Sequence, residues 1–96
     1  MAETIDFDQR LAVPEHVAVR ELDKELVLLN FESERYFGLD DVGARILEVL
    51  RDASSIDAGI TVLLDEFEVD ESQLRHDVGA LVTSLVDGGL VVLEPA

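Results

Sequence analysis

The stretch that decides the fold of this chain is LVLLNFESERYFGLDDVGARIL, residues 26–47. It begins with a hydrophobic run, passes through three polar residues at 32–34, continues with a short aromatic segment and ends where a helix can start. Strand-favouring residues on both sides of a short polar segment are typical of a β-hairpin. The stretch therefore predicts two antiparallel strands, over residues 25–31 and 35–39, followed directly by a helix.

The flanking sequence completes a small α+β domain. Residues 16–21, HVAVRE, alternate between apolar and polar and predict a strand before the hairpin. Helical spacing of apolar residues predicts three later helices, each preceded by a capping residue. The expected caps are Asp40 or Asp41, Ser54 or Ser55, and Asp70, and the helices end near residues 52, 68 and 87. Strands segregated from helices predict a winged helix-turn-helix-like fold, a three-stranded antiparallel sheet followed by three helices.

The composition is that of one folded, acidic domain. Hydrophobic residues make up 48% of the 96 residues, and the formal net charge is −15. A chain this apolar folds despite its charge, and its length leaves room for a single core. We expect the domain to span residues 13–94, after an N-terminal tail at residues 1–12. Residues 90–93 are expected to form a short strand or an extended tail.

Charge and residue inventory argue against several classes of partner and chemistry. The third helix, which would enter the major groove of DNA, carries three carboxylates and one arginine, so it would repel phosphates. No apolar run is long enough for a membrane span or a signal peptide, and the absence of cysteine fits a reducing compartment. We therefore expect a cytoplasmic protein that binds neither nucleic acid nor membrane.

No arrangement of residues typical of an enzyme occurs in the sequence. His16 and His76 lie on different predicted elements and match no zinc-site spacing. The acidic residues within 65–71 lack the central glycine and the final glutamate of a calcium loop. Neither a nucleophile elbow nor a glycine-rich phosphate loop is present. We expect no catalytic residue, no metal and no cofactor.

The aromatic strand at residues 35–39 is the first candidate binding element. It is short and has one neighbour in sequence, so we expect it at the edge of the sheet, with unpaired N–H and C=O groups. An extended peptide can pair with such an edge as an additional strand. Alternation places Tyr36 and Gly38 on one face and Phe37 and Leu39 on the other. The sequence leaves open which pair faces the core.

The third helix offers a second candidate element. Its apolar residues form a stripe wider than one core-facing side needs. The stripe consists of Leu74, Val78, Leu81 and Leu85, and the residues beside it are Val82, Val86, Arg75 and Gly79. The opposite flank carries Asp77 and Ser84. Val82 and Val86 either pack on residues 90–93 or form one wall of a groove, and the sequence leaves both possibilities open.

The segment LLNFESERYFGLDDVGARILEVL, residues 28–50, resembles the PqqD-like family, the recognition elements for precursors of ribosomally made, modified peptides. The resemblance extends over nearly all of residues 13–94. It is greatest to the free-standing leader-binding proteins of lasso-peptide pathways. The resemblance implies a protein without catalytic activity that binds the leader of a precursor peptide and presents it to a leader peptidase or another maturation enzyme.

In that family the leader adds as an antiparallel strand to the third strand and lies against the third helix. Transferred to this chain, the implied peptide-binding residues are Arg35, Tyr36, Phe37, Gly38 and Leu39 on the strand and Arg75, Val78, Val82 and Val86 on the helix. An alternative hypothesis is a structural or regulatory homodimer whose subunits pair through the same edge strand.

Overall fold

The computed structural model describes residues 5–23 and 25–96 of the chain. Within these residues the strands are β1 Arg10–Ala12, β2 Val17–Leu22, β3 Glu25–Asn30, β4 Tyr36–Leu39 and β5 Val92–Glu94. The helices are α1 Asp41–Asp52, α2 Ile56–Glu66 and α3 Glu71–Asp87. No helix among the described residues is long and apolar enough to cross a membrane.

The central sheet has the order β2-β3-β4, and both of its pairs are antiparallel. Val17 lies opposite Asn30 in the first pair, and Leu26 lies opposite Leu39 in the second. Helices α1, α2 and α3 follow this sheet in the chain. The prediction of an α+β fold with a three-stranded antiparallel sheet followed by three helices is confirmed.

The predicted N-terminal tail is wrong for its last residues. Strand β1 pairs antiparallel with β5, so that Leu11 lies opposite Leu93, and the Leu11 side chain is buried in the core. The Phe7 carbonyl also accepts a hydrogen bond from the Asp57 amide, at 3.0 Å. The folded domain therefore begins before residue 13, because this segment closes the core beside α1 and α2.

Side-chain alternation on β3 separates the two faces of the central sheet. Leu26 and Leu28 are buried against the helices, whereas Val27 and Leu29 on the other face are half-buried. Burying apolar surface of this kind contributes about 25 cal/mol per Å². The helices thus cover one face of the sheet, and the other face is left partly open.

The three helix starts are capped as the sequence predicts. The carboxylate of Asp40 accepts a hydrogen bond from the Gly43 amide at 2.9 Å, and the Ser55 hydroxyl accepts one from the Ala58 amide at 3.0 Å. Helix α2 ends at Glu66, earlier than the expected residue 68, because Phe67 leaves the helix with extended backbone angles. Caps are local interactions, so their positions follow from short sequence patterns.

The cap of α3 makes folding stability sensitive to acid. Hydrogen bonds from the Ser72 hydroxyl, and then from the Gln73 amide, lower the pKa of Asp70 below its ordinary value. A lowered pKa in the folded state stabilises the fold above the unfolded-state pKa, and this contribution disappears as the pH falls through the folded-state pKa.

Asp70→Asn keeps an acceptor oxygen but does not titrate. The stability advantage of the native protein over Asp70→Asn should therefore shrink between about pH 5 and pH 2, as measured by urea unfolding. A constant difference over that range would contradict the assignment.

Candidate functional site

Strand β4 is an edge strand, as predicted. It pairs with β3 on one side, and no other strand among residues 5–23 and 25–96 pairs with its second side. An unpaired edge presents N–H and C=O groups that a further strand can bond. The exposed edge of β4, one of the two edges of this sheet, is therefore suited to receiving an extended peptide.

The register fixes which backbone groups of β4 face outward. The Asn30 amide donates to the Arg35 carbonyl at 2.8 Å, so the backbone of Arg35 faces β3. Residues of an antiparallel strand alternate between facing the partner and facing away from it. Phe37 and Leu39 therefore bond to β3, and the N–H and C=O groups of Tyr36 and Gly38 point to the open edge.

The structure places the two aromatic side chains on opposite faces of the sheet. Phe37 lies opposite Leu28, is half-buried and packs against the core. Tyr36 lies opposite Leu29 on the outer face and is 74% exposed. Phe37 is thus on the side of the helices, and Tyr36 is on the open face.

A groove of about 550 Å³ separates the start of β4 from the C-terminal end of α3. Its lining residues come from the β3–β4 turn, β4 and the end of α3: Glu34, Arg35, Tyr36, Phe37, Ser84, Asp87, Gly88 and Leu90. Ser84 and Asp77 lie two helical turns apart on the same side of α3, and both are exposed. The wall formed by α3 is therefore its polar flank.

The predicted helix wall is wrong for Val78 and Val82. Both side chains are 0% exposed and belong to the hydrophobic core. The core stripe of α3 consists of Leu74, Val78, Val82 and Leu85. Leu81 is only half-buried, at the margin beside Ser84. The core-facing side of the helix is thus rotated toward Val82 relative to the predicted stripe, which leaves Val82 no surface to offer a ligand.

Arg75 and Val86 lie on the flank of α3 that faces away from the groove. Arg75 forms ion pairs with Asp57 at 2.9 Å and Glu71 at 3.1 Å, and its guanidinium lies 5.5 Å from the centre of the Phe7 ring. The hydrogen bond from Arg75 to Glu71, and then the ion pair with Asp57, raise the pKa of its guanidinium. Arg75 therefore holds the N-terminal segment, α2 and α3 together, and the groove does not include it.

The sequence prediction missed the helix residues that line the groove, Ser84 and Asp87. The sequence did contain a signal for them. Exposed polar residues recur along one side of α3 at Asp77 and Ser84, and a small side chain such as Ser84 leaves room for a strand between helix and sheet. The apolar shoulder of α3, formed by Val82, Val86 and Gly79, was a misleading signal because the N-terminal segment packs against it at Gly79: the Phe7 ring lies 3.7 Å from where a Cβ on Gly79 would be.

The groove combines a backbone edge with an unevenly charged rim. Glu34 and Asp87 contribute carboxylates, and Arg35 contributes a guanidinium without an ion-pair partner within the described part of the chain. Phe37 and Leu90 supply apolar surface at its base. Within the described residues no group of His, Asp and Glu side chains is placed to hold a metal ion. The arrangement is suited to non-covalent binding of an extended peptide.

The chain is similar to known proteins in sequence and in fold. The family model for coenzyme PQQ synthesis protein D (PqqD) matches residues 25–91. A PqqA binding protein from Rhodopseudomonas palustris (strain BisB5) is 30% identical over 90 residues, which cover 92% of this chain and 86% of that protein.

Two solved structures share the fold. TbiB1 in complex with the TbiA(beta) leader peptide has a TM-score of 0.75 and 28% identity, covering 83% of this chain and 93% of that one. A lasso peptide synthetase B1 complexed with the leader peptide has a TM-score of 0.77 and 31% identity, covering 86% of this chain and 98% of that one. The family match spans β3, β4 and the three helices, and the chain belongs to the PqqD family.

Proposed function

We propose that this chain binds the leader segment of a ribosomally synthesised precursor peptide, in a lasso-peptide pathway, and presents it to a leader peptidase or another maturation enzyme. The observation that carries the proposal is the unpaired edge of β4, which opens onto a groove beside α3. The two solved relatives are complexes with leader peptides, which supports the same role for this chain.

Backbone pairing supplies the sequence-independent part of the recognition. A leader running antiparallel to β4 would exchange hydrogen bonds with Tyr36 and Gly38, the residues whose N–H and C=O groups point outward. Its own side chains would then alternate between the open face beside Tyr36 and the groove beside Phe37. Strand addition combined with pockets for alternate side chains is an established mode of peptide recognition.

The direction in which a leader would run along β4 follows from the same geometry. Strand β4 starts beside Asp87 and Gly88, at the C-terminal end of α3. An antiparallel leader would therefore leave the groove at this end with its own C-terminus. The segment to be modified would project past Glu34 and Arg35. A maturation enzyme that acts on it would approach from this end of the domain.

The chain is proposed to act as a carrier, with the chemistry performed by a separate enzyme. Its histidines lie away from the groove: His16 precedes β2 beside Glu32, and His76 is exposed on α3.

The net charge of −15 favours rapid encounter with a basic leader, an effect that salt weakens. Homodimer formation through the β4 edge stays a prediction.

The test is titration of a fluorescently labelled synthetic leader, taken from a precursor gene sought among the neighbours of the gene for this chain, followed by anisotropy. Saturable binding that an unlabelled leader displaces, and a scrambled leader does not, would support the proposal. A leader that fails to bind at protein concentrations up to about 1 mM, where a binding free energy would be weaker than about −4 kcal/mol, would refute it.

Tyr36→Ala should weaken leader binding about two- to fivefold. An added strand would place a side chain beside Tyr36 on the open face, and such cross-strand pairs contribute about 0.2–1 kcal/mol. Phe31→Ala is the matched control, because Phe31 is also an exposed aromatic, at 59%, but does not line the groove. Equal affinities of the two variants in the leader titration would place the added strand elsewhere.

A further inference from the structure

Asn30 is a buried polar residue at the end of β3, and both the oxygen and the nitrogen of its side-chain amide form hydrogen bonds. It is 5% exposed. Its Oδ1 accepts hydrogen bonds from the amides of Glu32, at 2.8 Å, and Ser33, at 3.1 Å. Its Nδ2 donates to the carbonyl of Gly89, at 2.7 Å. One side chain thus bonds both the β3–β4 turn and the segment that ends α3.

These two segments carry the two walls of the groove. The turn leads into β4, and Gly88, which lines the groove, follows α3 directly. Within residues 5–23 and 25–96, the bond between Asn30 and Gly89 is the one side-chain hydrogen bond that joins the turn to the end of α3. Helix α3 packs against α2 more than against β4. The bond between Asn30 and Gly89 is therefore placed to set the spacing between β4 and the end of α3.

The backbone conformation of Gly89 and its lack of a Cβ permit the same contact. Its backbone has a φ of +72°, which L side chains rarely adopt. A Cβ at this position would lie 3.1 Å from the Nδ2 of Asn30. Backbone and side chain thus approach each other closely here because residue 89 is glycine.

We propose that Asn30 is a positioning residue for leader binding: without touching the leader, it holds the β3–β4 turn at a fixed distance from the end of α3. The proposal rests on the proposed function. An added strand must lie about 4.8 Å from β4 to form its hydrogen bonds, and α3 must stand far enough away to admit it. A displacement of either wall would lose backbone bonds or side-chain contacts.

Asn30→Asp separates the two roles of this side chain. A carboxylate still accepts from the amides of Glu32 and Ser33, so the turn is kept. An ionised carboxylate cannot donate to the Gly89 carbonyl, so the link between the walls is lost. At neutral pH and a temperature where the variant is folded, the leader should bind Asn30→Asp at least tenfold more weakly than the native protein.

Ile60→Val is the matched control. Ile60 is buried in α2, away from the groove, so this variant loses thermal stability without altering the walls. Its leader affinity should stay within about twofold of the native value. Native affinity in a folded Asn30→Asp variant, or equal weakening in both variants, would overturn the proposal. If the native protein itself fails to bind the leader, the proposed function fails, and that result is distinguishable from failure of the positioning role.

A distance measurement tests the proposal without a leader and without reliance on affinity. The chain has no cysteine, so Glu32→Cys and Val86→Cys introduce a unique pair of spin labels, one on the turn and one near the end of α3. The distance distribution should broaden when Asn30→Asp or Gly89→Ala is added. An unchanged distribution in a folded variant would overturn the proposal, even where the other variant does not fold.

Discussion

Replacing Gly38 by proline is expected to weaken leader binding tenfold or more, whereas replacing it by alanine should leave the affinity within about twofold. The N–H of Gly38 points to the open edge of β4, so it would donate a hydrogen bond to a carbonyl of the leader strand. Proline removes that donor and places its ring where the leader backbone would lie. One such hydrogen bond contributes about 0.5–1.5 kcal/mol, and the ring adds a steric cost.

The fold should tolerate both variants at position 38. Proline is accepted on edge strands where its nitrogen faces away from the ladder. Alanine makes only an ordinary van der Waals contact, because the nearest heavy atom to its Cβ would be a carboxylate oxygen of Glu25 at 3.9 Å. Circular dichroism should confirm folding of both before anisotropy measures leader affinity. If a folded proline variant binds as tightly as the alanine variant, the backbone of β4 does not receive the leader.

The strand wall of the groove was predictable because its signals are local. A short aromatic segment after a hairpin turn has one partner in sequence, and β4 is indeed an edge strand. The capping side chains of Asp40, Ser55 and Asp70 likewise act within three residues of themselves. Local chemistry of this kind can be read from a single sequence.

The remaining features depend on contacts between distant parts of the chain. Strand β1 pairs with β5 across most of the sequence, and each strand has three residues, too few to show an alternating pattern. An ion pair joins Arg10 to Glu94 beside this pairing. Neither short segment contains a pattern that identifies its pairing partner. The sequence therefore predicted a tail at residues 1–12, and either a strand or an extended tail at residues 90–93.

The helix wall was predicted on the wrong flank of α3 for a related reason. Leu81 and Val82 are adjacent apolar residues separated by 100° around α3, and either could belong to the core stripe. The choice depends on what covers each flank. Phe7 and the ion pair between Arg75 and Asp57 cover one flank, whereas the groove lies along the flank of Ser84. The side of the helix that is left open to a leader is therefore set by the N-terminal segment.

Val82→Asp is accordingly expected to unfold the domain and not to act on leader binding alone. Val82 is 0% exposed, within a stripe that packs against the rest of the core. Burying an unpaired carboxylate costs at least about 4 kcal/mol, a large share of the roughly 5–15 kcal/mol that stabilises a small domain. Thermal unfolding followed by circular dichroism should show no cooperative transition at neutral pH, or one shifted down by more than about 15 °C.

Val86→Asp provides the comparison that separates the two interpretations of this flank. Val86 lies one turn further along α3 and is 38% exposed, so its carboxylate stays hydrated. Its cost is limited to about 1 kcal/mol, mainly from a negative charge in the last turn of a helix. A folded Val86→Asp variant that binds leader normally, beside an unfolded Val82→Asp variant, would place the leader on the flank of Ser84. If instead Val82→Asp melts like the native protein and has lost leader binding, Val82 must be accessible to the leader, and the apolar shoulder would be the wall after all.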